Sequence, residues 1–175
     1  MMDWFGSVFL EVLFLFLCIA PILFIWQTVF AGKYMSTYHK ICIWLFGFYI
    51  VGLVAFTGIS PLFFGNFHFS PYYNTELFVD IFVSPHQYIL NILLFVPLGF
   101  LTPLLWKKFR SQNKILLWGF CSSFAIEFLQ MFCNRTTDVD DLLANTVGAL
   151  CGYWLFLMAK QKIAFYQFAY QIQTQ

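Results

Sequence analysis

Charge is what this 175-residue chain lacks. Asp, Glu, Lys and Arg make up 10% of it, against 61% hydrophobic residues, where a soluble domain is nearer a quarter charged. So few charges cannot cover a surface facing water, and a mean hydropathy of +0.77 points to an integral membrane protein. Metal motifs are absent as well. The five cysteines, Cys18, Cys42, Cys121, Cys133 and Cys151, lie in or at the ends of apolar runs with no CxxC and no Cys/His cluster. They read as small hydrophobes, and neither a metal nor another cofactor is expected. No basic patch mixed with soluble structure suggests nucleic-acid binding. Before Lys33 there is no Lys or Arg, only Asp3 and Glu11. A secretory signal begins with a basic stretch, so the first apolar run is expected to be a retained span. There is no internal repeat and no low-complexity tract.

Long apolar runs fill the space these absences leave. Five are long enough to cross a hydrocarbon core, which takes about 20 residues: Ser7–Ala31, Ile41–Ser60, Gln87–Trp106, Ile115–Cys133 and Val139–Ala159. They are too long and too little alternating for barrel strands. The expected fold is therefore an all-α integral membrane protein, a single membrane domain over residues 1–175 built as a bundle of five transmembrane helices. Eight of the nine basic residues (Lys33, Lys40, Lys107, Lys108, Arg110, Lys114, Lys160 and Lys162) fall on one side of that arrangement. Asp3, Glu76, Asp80, Asp138, Asp140 and Asp141 fall on the other, with Arg135 the basic exception. The positive-inside rule then puts the N-terminus out and the C-terminus in, which five crossings satisfy. Residues 61–86 form the longest link on the outer side. Their aromatics suit the headgroup zone, with a short helix expected over Thr75–Val83 capped by Asn74. The aromatic tail after Lys162 is expected to lie along the inner interface.

Polar groups inside the apolar runs gather in one layer. At 1.5 Å per residue, Glu127 lies about 9 Å from the outer end of the fourth run, Asn145 about 9 Å into the fifth and Asn91 about 6 Å into the third. Glu11 is near the outer end of the first. On the fourth run Ser123, Glu127, Gln130 and Asn134 share a face, and on the fifth Asp138, Asp141, Asn145, Gly148 and Gly152 do. Gly148 and Gly152 form a GxxxG pair that permits close helix approach. Pro97 and Gly99 lie on the third run, where the proline frees a backbone carbonyl.

Each group has a plainer role beside a functional one. An intramembrane carboxylate such as Glu127 usually lines a pathway or site, yet could be a structural ion pair with Arg135 or a protonated carboxyl. Asp138, Asp140 and Asp141 sit where acids cap a helix, although three beside an arginine exceed what a cap needs. Arg135 can meet phosphate or carboxylate, or pair with those aspartates. Asn91, Gln130 and Asn145 can be interhelical hydrogen-bond glue. His68 and His86 near the same layer read as polar tips.

Together these residues spell E-x2-Q-x4-R-x2-D-x-D-D-x3-N-x2-G-x3-G after an N-x5-P-x-G helix. The pattern resembles the VanZ-like family of bacterial membrane proteins. The resemblance rests on NILLFVPLGF (Asn91, Pro97, Gly99), IEFLQ (Glu127, Gln130) and RTTDVDDLLANTVGALCG (Arg135, Asp138, Asp140, Asp141, Asn145, Gly148, Gly152), and covers residues 78–157. The family usually has glycine before the arginine, where this chain has Asn134. The resemblance implies a multi-pass protein of the bacterial cytoplasmic membrane and, for some members, lower susceptibility to the glycopeptide teicoplanin.

The expected function is binding of a lipid-linked cell-wall intermediate, a lipid headgroup or a lipoglycopeptide at an outer-leaflet site. Its candidate residues are Asn91, Glu127, Gln130, Arg135, Asp138, Asp140, Asp141 and Asn145, with Pro97, Gly99, Gly148 and Gly152 for helix packing. The alternative is an enzyme on a lipid-linked substrate with Glu127 or Asp141 as acid or base. Acids without a fixed nucleophile or metal motif favour binding. A purely structural protein packed through its glycines is a third class. A transporter is disfavoured, because no polar group marks the inner half.

Overall fold

The computed structural model describes residues 2–29, 36–65, 68–69, 73–74, 77–78, 82–133 and 135–162. Lys33, Glu76, Asp80, Asn134, most of the short helix expected over Thr75–Val83 and the tail after Lys162 lie outside the described residues. Among the described residues there are five long helices: α1 (Met2–Val29), α2 (Thr37–Thr57), α3 (Pro85–Leu105), α4 (Gln112–Gln130) and α5 (Val139–Gln161). Their bounds differ from the expected runs by a turn or so, because polar caps extend the helices past the apolar stretches. Ser36 accepts the His39 N–H at 3.3 Å and starts α2 four residues early. Gly58, with φ 70°, ends that helix in the left-handed conformation a glycine adopts without strain.

Among the described residues three helices are long and apolar enough to cross a membrane: α2, α3 and α5. In α1 the described apolar stretch is the shorter Val12–Ile25. Helix α4 is more polar, with Gln112, Asn113 and Lys114 at its start and Ser122, Ser123, Glu127 and Gln130 further on. Large apolar side chains face outward along the bundle, among them Phe14, Phe48, Leu93, Leu117, Phe124 and Trp154. That much exposed apolar surface is a liability in water and normal in lipid.

Helices α3 and α5 make the most extensive pair. They run parallel, since Ile92 meets Gly148 and Val96 meets Gly152 in the same order along both. A Cβ on Gly148 would overlap the Ile92 carbonyl, and one on Gly152 the Val96 carbonyl. Gly99 meets the Ala149 carbonyl in the same way. The backbones thus touch where the sequence offered small residues. Pro97 and Pro103 lie within α3 without ending it. Helix α4 returns against α5, with Gly119 at Ala149. Phe95, Leu98, Ile115, Ala149 and Phe156 are buried between these three helices.

One end of the bundle carries Lys107, Lys108, Arg110 and Lys114. There Arg110 Nε donates to the Pro103 carbonyl at 3.1 Å and Tyr153 donates to the Arg110 carbonyl at 2.9 Å. The opposite, acid-bearing end joins two links that the sequence treated separately. Strand β1 (Tyr73–Asn74) pairs in parallel with β2 (Thr137–Asp138), with Tyr73 opposite Thr137 and Asn74 opposite Asp138. The His68 N–H donates to the Phe132 carbonyl at 3.0 Å. The 61–86 link is therefore strapped onto the turn between α4 and α5. An apolar-run reading cannot see so short a pairing.

Candidate functional site

The acid-bearing end is built outward from Glu127. This carboxylate lies in the last turns of α4 and is 4% exposed. Its Oε2 accepts the Asp138 N–H at 3.1 Å, and its carbonyl accepts the Thr137 hydroxyl at 3.1 Å. The end of α4 is thus bonded to the start of α5. Asp138 is the N-cap of α5: its Oδ1 accepts the Asp140 N–H at 2.9 Å, the usual satisfaction of an orphan N-terminal donor. Its Oδ2 accepts from the Asn74 amide at 3.0 Å, so the strap fixes the cap from the other side. Asp140 is fully buried and accepts the Phe78 N–H at 2.7 Å. Phe78 has φ 65°, a conformation uncommon for a non-glycine residue, and Asp140 holds it there.

Two further buried amides tie helices together. Gln130 donates to the Thr57 carbonyl at 2.7 Å, joining α4 to the end of α2. Its backbone carbonyl accepts the Cys133 and Arg135 N–H groups and shapes the turn that follows. Asn145 donates to the Ser123 hydroxyl at 2.9 Å, joining α5 to α4. Asn91 on α3 donates to Asp141 Oδ1 on α5. The N-termini of α3 and α5 both point to this end, so their dipoles favour the aspartates gathered there.

In front of these bonds lies a cavity of about 690 Å³. Its polar wall is Arg135, Thr136, Asp138 and Asp141, with Gln87 and Asn91 from α3. Its apolar wall is Phe56 from α2 with Leu90, Leu93 and Leu94 from α3. Arg135 is exposed, and its guanidinium lies on the backbone of Gly58, where any Cβ would overlap it. Of the eight candidate binding residues, four line the cavity: Asn91, Arg135, Asp138 and Asp141. Glu127, Gln130, Asp140 and Asn145 lie behind it, in the bonds that hold the wall. Ser123, named only as part of a helix face, partners Asn145. Gln87 and Thr136 gave no signal in the sequence. Asn74 did, as a capping residue, but the helix end it serves is that of α5. His86 is exposed and is not among the lining residues.

Chemically, the wall offers one guanidinium suited to an anion, carboxylates suited to cations or N–H donors, and an apolar flank. Among the described residues no group of three His, Cys, Asp or Glu converges as a metal site would require.

Comparison with known proteins agrees with the residues. The chain is 30% identical over 100 residues to the uncharacterized membrane protein YwnJ of Bacillus subtilis (strain 168), covering 55% of this chain and 71% of that one. No solved structure matches. The VanZ/LLP1 family matches residues 8–160, from within α1 to the last turn of α5 and across every residue of the cavity wall, and this membrane protein belongs to that family.

Proposed function

We propose that the chain binds an amphipathic envelope ligand in the cavity at its acid-bearing end, on the outer side of a bacterial cytoplasmic membrane. A lipid-linked cell-wall intermediate, a lipid headgroup or a lipoglycopeptide is the ligand class, and reduced teicoplanin susceptibility is the expected phenotype. The observation that carries this is the wall itself, where Arg135, Asp138 and Asp141 face the same space as Phe56, Leu90 and Leu93. A polar headgroup and an apolar chain would each meet matching chemistry. The outward assignment follows from Lys107, Lys108, Arg110 and Lys114 at the opposite end.

Binding is favoured over catalysis because, of the two candidate acid–base groups, Asp141 alone faces the cavity and it accepts a bond from the Asn91 amide. An acid or base must reach the proton it moves, and Glu127 is buried behind Asp138 with one oxygen held by a backbone N–H. The test is teicoplanin susceptibility in a sensitive host expressing wild type, Arg135→Gln or Asp141→Asn at matched membrane levels. Wild type protects and both variants lose most of that protection. Protection undiminished in both variants would overturn the reading.

A further inference from the structure

The cavity has a vertical order that its charges alone do not explain. Along α3, Gln87 lies about 3 Å from the helix start and Leu93 about 12 Å deeper into the bundle's length than Pro85. Polar and apolar residues alternate over the first turns, where Leu90 and Asn91 stand side by side, and the deepest lining residues on α3, Leu93 and Leu94, are both apolar, so the cavity's inner reach toward the membrane interior is apolar. Phe56, Leu90 and Leu93 are 54%, 59% and 57% exposed, so the apolar side opens sideways between α2 and α3, where lipid chains would lie. A soluble ligand has no use for a lateral opening at that depth.

The charges narrow the headgroup. Among the described lining residues Arg135 is the one cation, facing the two acids Asp138 and Asp141. A purely anionic lipid would set its phosphate on Arg135 but bring nothing to the carboxylates, which would repel it. A headgroup holding an ammonium a few bonds from its phosphate answers both signs. A primary ammonium also supplies the N–H donors that carboxylate and amide oxygens accept.

Resting on the site reading above and narrowing its ligand, we propose that the cavity takes a membrane lipid with a phosphate–primary amine headgroup, of the phosphatidylethanolamine kind. Its phosphate lies on Arg135, its ammonium between Asp138 and Asp141, and one acyl chain leaves along Leu90 and Leu93. The two acids act as a filter against anionic lipids, and Arg135 as the anchor. Volume permits this, since a headgroup and the first stretch of chain suit a pocket within the usual range of about 300–1,000 Å³, while the remaining chain stays in the bilayer.

The experiment uses the purified full chain in detergent, with competition between short-chain phosphatidylethanolamine, phosphatidylglycerol and phosphatidylcholine read by native mass spectrometry. Phosphatidylethanolamine binds about tenfold or more tightly than phosphatidylglycerol, given what a charge-assisted hydrogen bond contributes. Phosphatidylcholine, whose ammonium has no N–H, falls between. Arg135→Gln weakens all three, Asp141→Asn brings the first two toward parity, and Leu93→Trp, which fills the apolar wall, weakens all without changing their order. Glycerophosphoethanolamine, which has no acyl chain, fails to compete at the same concentration.

Equal or tighter binding of phosphatidylglycerol by wild type would overturn the headgroup assignment. Effective competition by the chainless compound would overturn the lipid assignment in favour of a soluble or cell-wall source of the same chemistry. Phosphatidylethanolamine binding untouched by Arg135→Gln and Leu93→Trp would put the lipid elsewhere and overturn the proposal too. In these cases altered teicoplanin susceptibility in Arg135→Gln and Asp141→Asn would leave the site itself standing. If those variants keep wild-type protection as well, both readings fall together.

Discussion

Glu127 separates shape from charge at a single position. Its Oε2 accepts the Asp138 N–H from a site that is 4% exposed, and a glutamine carbonyl oxygen can occupy the same place. Glu127→Ala cannot, and it leaves that part-buried N–H without its protein partner, a loss of about 1–3 kcal/mol. Thermal unfolding in detergent should therefore leave Glu127→Gln close to wild type and lower the midpoint of Glu127→Ala by several degrees. Equal loss in both variants would mean that the negative charge, not the acceptor, holds the turn. Asp138 is bound more tightly into the fold, with one oxygen on the Asp140 N–H and the other on Asn74. Asp138→Ala removes an N-cap worth about 0.5–2 kcal/mol and releases the strap, so it should destabilise more than Asn74→Ala, which leaves the cap in place. Equal loss in the two variants in the same melts would show that the strap, not the cap, dominates.

At the scale of elements, the parallel contact of α3 with α5 carries the architecture. Gly148 sits with its Cα against the Ile92 backbone, and a backbone cannot swing aside as a side chain can. Gly148→Ala must part the two helices, widening the distance between Asn91 and Asp141 on the cavity wall. Gly52 in α2 has nothing within 4 Å of where its Cβ would be. Gly52→Ala should be neutral or stabilising by about 0.5–1 kcal/mol, and Gly148→Ala should lower both the melting point and the yield of folded protein. Comparable melts for the two variants would show that α3 and α5 do not approach as closely as described. The sequence announced this contact, because GxxxG spacing and an apolar run are both local patterns. It announced Asn91, Arg135, Asp138 and Asp141 as well, because a charged or amide side chain in or beside an apolar run is conspicuous. It could not divide those lining the cavity from those behind it. Glu127 and Asp141 look alike in sequence, and only the β1–β2 pairing and the Asp138 backbone, which turns toward α4, put one behind the wall and the other in it. Gln87, Thr136 and Phe56 are unremarkable locally and gain their place from helices brought together across long stretches of chain.

For the whole molecule, the decisive question is how many times the chain crosses the membrane. Helices α3 and α5 are each long and apolar enough to cross, and they lie parallel. A segment joining the end of one to the start of the other must return through the same thickness. Helix α4, at 19 residues, is about 28 Å long, which matches a hydrocarbon core of about 30 Å. If α3 and α5 both cross, α4 is expected to cross between them, with Glu127, Gln130 and Ser123 turned to the protein interior where they are buried. Impermeant thiol labelling of intact cells checks this, with single cysteines introduced into a chain whose five native cysteines are replaced. His86→Cys at the acid-bearing end should be labelled, and Ser111→Cys at the lysine-rich end should react only after the membrane is opened. Asp3→Cys at the start of α1 should be labelled from outside if that helix also crosses and the total is five, and Ser7→Cys, a turn further in, should follow it. Labelling of Ser111→Cys but not His86→Cys would invert the protein and turn the cavity toward the cytoplasm, ruling out an outer-leaflet ligand. The expected pattern at residues 86 and 111 with Asp3→Cys closed to the reagent would leave four crossings and put the start of α1 on the inner side. The cavity would survive that outcome unchanged, because none of its described lining residues comes from α1.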